Sequence, residues 1–243
     1  MIKLAVSGAH GRMGQSITRL ALEDKTFTMT TLLEHAHHAK LNEQSFGMDV
    51  TSDANKISDC DVMIDFTLPD GTITNLETAV KNNVKLVIGT TGFSEDQIKK
   101  IEEASKTIPI VFSTNMSIGV NILFKLIEVV GKKINDPKMT LSETHHVHKK
   151  DAPSGTAKTM AEFAEKTSGK KIADIESIRE GEVIGDHEIT FETKEDILKI
   201  SHHAKSRDMF AKGSLTAAKF LVDKTSGLYH MQDVLGLNEI KIQ

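Results

Sequence analysis

The densest group of chemically reactive side chains lies between Glu143 and Thr156. The stretch reads Glu-Thr-His-His-Val-His-Lys-Lys-Asp-Ala-Pro-Ser-Gly-Thr, so three histidines and two lysines fall within six positions. Histidine transfers protons near neutral pH, and both residue types bind anions. The cluster could therefore hold a metal ion, form a solvated loop, or bind an anion beside a proton donor.

A metal site is the least favoured of these three readings. Glu143 and the three histidines are potential ligands, and on a strand His146 and His148 would share one face while His145 takes the other. No cysteine is nearby, the H-E-x-x-H pattern is missing, and two adjacent lysines would repel a cation. We predict no metal here, while a solvated polar loop stays open on the run alone.

The residues that follow favour an anion site. Ser154-Gly-Thr156 opens a predicted helix that ends near Thr167, and the free N–H groups of a helix N-terminus attract anions. Crowding of like charges lowers the pKa of histidine and lysine groups, which suits a general acid. The cluster is thus interpreted as a carboxylate or phosphate site with a proton donor.

A glycine-rich turn near the start of the chain indicates a dinucleotide site. The apolar run Ile2–Val6 leads into Gly8-Ala-His-Gly11-Arg-Met-Gly14, and helical periodicity follows. Gly8 would permit the tight turn, Gly11 the approach of a pyrophosphate, and Gly14 close packing of helix on strand. The spacing is G-x-x-G-x-x-G rather than G-x-G-x-x-G, so an ordinary glycine-rich turn remains the alternative.

A carboxylate stands where a ribose partner is expected. The second predicted strand, about Thr28–Leu33, ends at Glu34, which lies 20 positions after Gly14. A carboxylate there accepts hydrogen bonds from ribose hydroxyls and repels a 2′-phosphate, and the next residue, His35, is at best half a cation near neutrality. The sequence leans toward NADH, with NADPH still possible.

The order of the remaining elements predicts an α/β fold with two domains. Further strands near Asp61–Phe66, Val84–Ile88 and Ile108–Phe112 alternate with helices, as in a Rossmann-type parallel sheet whose ligands lie at the carboxyl ends of the strands. From Lys138 onward, four strand-like stretches indicate a smaller α+β domain with a mixed sheet. The predicted dinucleotide-binding domain is 1–116 and 207–243, with hinges near Met116 and Arg207. The predicted substrate-binding domain is 117–206.

The predicted tail of the chain is mostly irregular. Residues 228–237 carry no clear periodicity, and we expect Val234 and Leu235 to be buried where this segment folds back onto the first domain.

Composition narrows the function classes. The chain has 243 residues and a formal net charge of −4, which gives no reason to expect nucleic acid as a partner. No apolar run approaches the roughly 20 residues of a membrane span, and no signal peptide is evident. Cys60 is the only cysteine, so we expect a reducing, cytoplasmic location.

At the level of motifs, the chain closely resembles the dihydrodipicolinate reductase family over nearly its whole length. The matching stretches are Glu143–Ala157, Gly8–Gly14, Asp65-Phe-Thr67, Gly89-Thr-Thr-Gly-Phe93, Asn115–Asn121, Arg179–Gly185 and Gly227–Leu235. The first of these is far more specific than the glycines.

The resemblance implies reduction of 4-hydroxy-tetrahydrodipicolinate with NADH or NADPH, in the pathway to diaminopimelate and lysine. It implies His145 and Lys149 as the catalytic proton-donor pair, and His146, Gly155 and Thr156 as the substrate-carboxylate site. The implied cofactor contacts are Gly8, Ala9, His10, Gly11, Arg12, Met13, Glu34, His35, Phe66, Gly89, Thr90, Thr91, Ser113, Thr114, Asn115 and Met116. The family also forms homotetramers through the sheets of its second domain.

Two departures from the family pattern matter. His35 stands where members that bind the 2′-phosphate well often carry arginine, and the second domain is shorter around Gly169–Ile175. The alternative functions are another Rossmann-type reductase of a small anionic substrate, or an NAD(P)H-sensing protein without catalysis.

Overall fold

The computed structural model describes residues 1–240, and the chain divides into two compact units. The first unit comprises Met1–Ser117 and Phe210–Gly236. The second comprises Ile118–Met209 and the segment that begins at Leu237.

The first unit is a parallel α/β sheet. Its strands are β1 (Ile2–Ser7), β2 (Phe27–Leu33), β3 (Val50–Thr51), β4 (Val62–Asp65), β5 (Lys85–Ile88), β6 (Pro109–Phe112) and β11 (Gly227–Tyr229). Its helices are α1 (Arg12–Glu23), α2 (Pro69–Asn82), α3 (Glu95–Ser105), nearly all of α6 (Asp208–Leu221), α7 (Met231–Val234) and a 3₁₀ turn at Ala54–Asp59. Within residues 1–240 the strand order is β11-β6-β5-β4-β1-β2-β3, and each neighbouring pair is parallel.

Continuous apolar runs explain why these strands lie inside the sheet. All four residues of β4 are buried, as are Leu86–Ile88 of β5 and Pro109–Val111 of β6. Strands that are covered on both faces carry apolar residues at every position rather than at alternate ones. The predicted Rossmann-type parallel sheet is confirmed.

The second unit is built on a mixed sheet. Its strands are β7 (Lys138–His145), β8 (Asp174–Arg179), β9 (Asp186–Glu192) and β10 (Ile197–His203), and its helices are α4 (Ile118–Lys133), α5 (Gly155–Ser168) and a 3₁₀ turn at Leu237–Glu239. The strand order is β10-β9-β7-β8, and β7 pairs parallel with β8 and antiparallel with β9. Apolar side chains of α4 and α5 pack with those of β7 and β9 in one core. The predicted α+β unit with a mixed sheet is confirmed.

The expected return of residues 228–236 to the first unit is confirmed, but the prediction of a mostly irregular segment with Val234 and Leu235 buried is wrong. Gly227–Tyr229 forms β11, which pairs with β6 at the edge of the parallel sheet, and the short helix α7 follows. Met231 and Leu237 are the buried apolar residues, while Val234 and Leu235 are only half-buried. The Nδ1 atom of His230 lies 2.6 Å from the carbonyl oxygen of Phe112, so a contact distant in sequence helps to hold this segment.

Across residues 1–240, the helices are too short or too polar to cross a membrane.

Candidate active site

Strand β7 places two polar side chains on its buried face. Its buried positions alternate through Met139, Leu141, Glu143 and His145, as the two-residue period of a strand requires. The strand ends at His145, and the chain then turns, with the Lys149 N–H donating to the carbonyl oxygen of His146 at 3.1 Å. The buried face of β7 is therefore apolar in its first half and carries a carboxylate and an imidazole in its second half.

The Glu143 carboxylate is the centre of a buried hydrogen-bond network. Its Oε1 atom accepts from Arg179 Nη2 at 2.9 Å and from the Ser154 N–H at 3.4 Å, and its Oε2 atom contacts Nδ1 of His145. Burial opposes the charge, yet the hydrogen bonds from Arg179 and His145 outweigh it and hold the pKa of Glu143 below its usual value. Glu143 is thus a charged, fully partnered carboxylate.

His145 is held from one side by this carboxylate. Burial lowers the pKa of His145, with Lys149 and Arg179 adding to the effect, although the neighbouring Glu143 acts in the opposite direction. A Cβ atom added to Gly185 would lie 3.0 Å from Nε2 of His145. The missing side chain at Gly185 therefore leaves room beside the ring nitrogen that does not face Glu143.

Lys149 lies near this histidine. Its Nζ atom is 2.9 Å from Oδ1 of Asp151, and its side chain is partly exposed. Burial of Asp151 opposes ionisation, but the hydrogen bond and the charge of Lys149 lower the pKa of that carboxyl. Lys149 is close enough to His145 to affect its pKa, and the two side chains contact different carboxylates, those of Asp151 and Glu143.

The N-terminus of α5 has the features of an anion site. Ser154 is the N-cap residue, and its Oγ atom accepts from the Ala157 N–H at 3.2 Å. Gly155 and Thr156 form the first turn, and a Cβ atom added to Gly155 would meet no atom within 4 Å. The start of the helix is therefore open beside Gly155.

His146 and His148 take different positions from His145. The His146 ring lies 6.0 Å from that of His148, and its Nδ1 atom is buried with no hydrogen-bond partner among the described residues. His148 is exposed and lies 3.5 Å from Glu182.

The sequence alone did not assign two residues of this network to the site. Arg179 ends β8, and His187 lies on β9 with its Nε2 atom 3.2 Å from Oγ of Ser154. Both residues lie more than 30 positions after Glu143, so no local pattern links them to it, although Arg179 belongs to one of the motifs shared with the family.

His187 also completes a possible set of metal ligands. Glu143, His145 and His187 each offer a ligand atom, and these atoms lie within 4.8 Å of one another. The carboxylate is already paired with Arg179, however, and a bound cation would compete with that guanidinium.

At the other candidate site, the glycine turn after β1 has the expected close packing. Gly8 has φ +82, in the left-handed region that favours glycine. A Cβ atom on Gly14 would lie 2.1 Å from the Gly8 carbonyl oxygen, so α1 approaches the turn more closely than a side chain would allow. Ala9 is buried in the turn, Gly11 is the N-cap of α1, and Arg12 and Met13 form its first turn.

The Glu34 carboxylate is fixed against this turn. Its Oε2 atom accepts from the His10 N–H at 3.0 Å, and its Oε1 atom accepts from the His35 N–H at 2.9 Å. The His10 ring stacks on His38 with centroids 5.3 Å apart. The predicted ribose partner and the predicted phosphate turn therefore meet at one edge of the sheet.

The predicted cofactor residues after β4, β5 and β6 lie at the same carboxyl edge. They are Phe66, Gly89, Thr90, Thr91, Ser113, Thr114, Asn115 and Met116. A Cβ atom on Gly89 would lie 2.1 Å from the Phe66 ring, so that ring packs directly on the glycine. The Ser113 hydroxyl donates to the carbonyl oxygen of Asn115 at 3.1 Å and helps to fix the loop after β6.

Asp65 is a buried anchor at this edge that sequence reasoning did not single out. Its Oδ1 atom accepts from the hydroxyls of Thr67, Thr72 and Thr90 at 2.7, 2.9 and 3.2 Å, and its Oδ2 atom accepts from Asn75 at 2.7 Å. The carboxylate thus links the end of β4 to α2 and to the residue after Gly89.

These residues fit a dinucleotide. A glycine cradle without room for a Cβ atom, the start of α1 and a fixed carboxylate at the end of β2 are the parts that bind pyrophosphate and ribose. The first unit therefore belongs to the class of Rossmann-type dinucleotide-binding folds. The α+β unit that follows it along the chain carries a buried carboxylate–histidine pair.

Comparison with known proteins identifies the family. Residues 2–116 match the model for the N-terminus of dihydrodipicolinate reductase, and residues 119–235 match the model for its C-terminus. The chain belongs to the dihydrodipicolinate reductase family.

The similarity to individual relatives extends over nearly the full length of this chain. The chain is 39% identical to the 4-hydroxy-tetrahydrodipicolinate reductase of Nitrosomonas eutropha, covering 98% of this chain and 99% of that protein. It is 40% identical to the enzyme of that name from Pelagibacter ubique, over 96% and 98% of the two chains. The structure of dipicolinate-bound dihydrodipicolinate reductase from Paenisporosarcina sp. TG-14 shares the fold, with a TM-score of 0.84 at 22% identity over 97% of this chain and 100% of that one.

Proposed function

We propose that this chain reduces 4-hydroxy-tetrahydrodipicolinate to tetrahydrodipicolinate with NADH or NADPH, in the pathway to diaminopimelate and lysine. The observation that carries the proposal is the pairing of His145 with the buried Glu143, on a chain that belongs to the dihydrodipicolinate reductase family. Lys149 and the open start of α5 supply the cation and the anion site that a dicarboxylate requires.

The substrate is a cyclic dicarboxylate that binds with one carboxylate at the N-terminus of α5. Gly155 and Thr156 offer backbone N–H groups there, and His146 lies in the turn before that helix. The second carboxylate binds near the cationic cluster of His145 and Lys149. The dipicolinate bound to the Paenisporosarcina reductase supports a ligand of this kind.

Lys149 supplies the proton to the substrate carbon next to the site of reduction. The 4-hydroxyl leaves as water together with a proton of that neighbouring carbon, and the nicotinamide, when bound, would supply the hydride to the carbon that carried the hydroxyl. His145 donates a proton or orients Lys149, and Glu143 fixes its ring through Nδ1. Burial lowers the pKa of His145, so its ring releases a proton more readily than a free imidazole, and Nε2 beside Gly185 is the ring nitrogen that faces away from Glu143.

The first unit holds the dinucleotide. Gly8–Met13 would bind the pyrophosphate, Glu34 the adenosine ribose, and the loops after β4, β5 and β6 the nicotinamide half. Glu34 favours NADH, because its carboxylate would repel a 2′-phosphate and His35 compensates less than an arginine would. The proposed dinucleotide-binding domain is 1–116 with 207–243, although the segment that begins at Leu237 falls in the second compact unit. The proposed substrate-binding and tetramerisation domain is 117–206.

The proposed assembly is a cytoplasmic homotetramer that has no nucleic-acid or membrane partner. Exposed apolar side chains on β8 and β10 support an interface on the mixed sheet: Ile178 is 37% exposed, Leu198 41% and Ile197 60%. Light scattering of the purified chain tests this assembly, and a monomer at micromolar concentration would contradict it.

One assay tests the reaction. The preceding synthase generates the unstable substrate in place, and oxidation of NADH or NADPH is followed by its near-ultraviolet absorbance. We expect substrate-dependent oxidation, faster with NADH at low cofactor concentration. Oxidation only with another small anion would indicate a different reductase, and binding of NADH without turnover would indicate a sensing protein.

A further inference from the structure

We infer that His187 is a positioning residue that joins the proton-donor side of the active site to its carboxylate-binding side. The inference rests on the proposed function, because that function assigns the roles of His145 and of the start of α5. His187 lies on β9, is 5% exposed, and reaches both groups from inside the second unit.

The first contact is with the helix cap. Nε2 of His187 lies 3.2 Å from Oγ of Ser154, and the same Oγ atom already accepts from the Ala157 N–H. The hydroxyl and the ring form a hydrogen bond whose direction depends on the His187 tautomer, because the hydroxyl can either donate its hydrogen to Nε2 or accept one from it. Burial keeps the ring neutral in either tautomer, because it lowers the pKa of His187 to about 4. The ring thus fixes the hydroxyl in the orientation that caps α5.

The second contact is with the proton-donor histidine. The rings of His187 and His145 meet edge to face, with centroids 5.1 Å apart and an interplanar angle of 77°. Glu143 holds His145 at Nδ1, and the His187 ring packs beside the imidazole. Glu143 also accepts from the backbone N–H of Ser154, so the four residues form one closed group.

Stability alone does not account for a histidine at this position. Its Nδ1 atom is buried and has no hydrogen-bond partner among residues 1–240, which costs free energy that an apolar side chain would avoid. Replacement by leucine removes this cost together with the Ser154 contact, so the global stability of the variant should change little. The variant should instead change the orientation of the Ser154 hydroxyl and of the His145 ring.

The test compares four variants of the full chain. His187→Leu removes the hydrogen-bond partner of the Ser154 hydroxyl, His187→Gln keeps an amide near Nε2 that can donate or accept, and Ser154→Ala removes the hydroxyl. His202→Leu is the matched control, because His202 is a half-buried histidine opposite His187 on β10 and outside this group. Dipicolinate affinity by calorimetry, KM for substrate and for NADH, kcat and Tm are measured for each.

We expect His187→Leu to weaken dipicolinate binding and raise substrate KM about tenfold, which corresponds to about 1.4 kcal/mol of lost binding free energy. KM for NADH and Tm should stay near the wild-type values. His187→Gln should recover most of the loss, and His187→Leu should add little to Ser154→Ala.

Equal dipicolinate affinity in the wild type and His187→Leu would overturn the inference, as would equal losses in His187→Leu and His202→Leu. Failure of the proposed function is a separate result, because it appears as missing turnover in the unsubstituted chain. Dipicolinate affinity still tests His187 in that case.

Discussion

Nη2 of Arg179 lies 2.9 Å from Oε1 of Glu143, although 36 residues separate the two along the chain. The Glu143 side chain is fully buried, so this guanidinium supplies most of the compensation for its charge. Arg179 also donates to the carbonyl oxygen of Asp151 at 2.6 Å, which ties the loop before α5 to the same ion pair. The orientation of His145 therefore depends on a residue from another strand.

Loss of this guanidinium should destabilise the fold. Arg179→Met leaves Glu143 buried without its cation, and we expect the free energy of unfolding to fall by about 3 kcal/mol. Urea denaturation measures the change. Glu143→Gln in the Arg179→Met background should recover part of the loss, because it removes the unpaired charge. A double variant that is no more stable than Arg179→Met would contradict this account.

Lys149 is expected to act on the chemical step. Lys149→Met removes the proposed acid, and positioned acids typically contribute about 10²–10⁴-fold to the rate. We expect kcat to fall by that factor while NADH affinity by fluorescence titration is retained. Lys150→Met, at the exposed neighbouring position, is the matched control. Near-normal kcat in Lys149→Met would remove Lys149 from the mechanism.

Glu34 is expected to set the cofactor preference. Its carboxylate is held by the N–H groups of His10 and His35, where ribose hydroxyls would meet it. Glu34→Ala should weaken NADH more than NADPH, because it removes both the ribose acceptor and the repulsion of a 2′-phosphate. Titration with each dinucleotide measures the two dissociation constants, with exposed Glu77→Ala as control. Equal weakening of both would mean that Glu34 does not bind the ribose.

His187 makes folding stability depend on pH. Burial lowers its pKa from 6.5 to about 4, so the native state keeps the ring neutral while the unfolded chain takes up a proton below 6.5. This contribution to stability is complete above pH 6.5 and falls as the pH drops toward 4, by roughly 3 kcal/mol. In urea denaturation at neutral and acidic pH, His187→Gln should lose less stability than the wild type. Parallel curves for the two proteins would show that this histidine is not the titrating group.

Gly185 is expected to keep Nε2 of His145 accessible. In Gly185→Ala the added Cβ atom would lie 3.0 Å from that nitrogen, so the ring or the loop must shift by a few tenths of an ångström. We expect kcat/KM to fall, with a small change in Tm, since the position has no positive φ. Unchanged kcat/KM would mean that the substrate approaches the cluster from another side.

The sequence was sufficient for the features that short-range patterns determine. Continuous apolar runs predicted the buried parallel strands, and the position of Glu34 at the end of β2 followed from a fixed spacing to the glycine turn. Ser154 was recognisable as the start of a helix, because small polar residues favour the N-cap.

Features that depend on distant pairing were not predictable in this way. Gly227–Tyr229 contains too few apolar residues to be recognised as a strand, and it forms one only by pairing with the edge of β6. The sequence showed Asp65 only as one residue of a motif. Its four side-chain donors come from α2 and from the loops after β4 and β5, which the fold brings together. His187 and Arg179 join Glu143 only after β8 and β9 pair on either side of β7.

The placement of Arg179 on an outer strand has a consequence for heat inactivation. Among residues 1–240, strand β8 lies at the edge of the mixed sheet and pairs only with β7, whereas β7 also pairs with β9. Fraying of β8 would withdraw the guanidinium from Glu143 while the β7–β9 ladder, and most of the helical signal, persists. Activity is thus expected to disappear at a lower temperature than overall secondary structure, and a ligand that bridges α5 and the cationic cluster would narrow that interval.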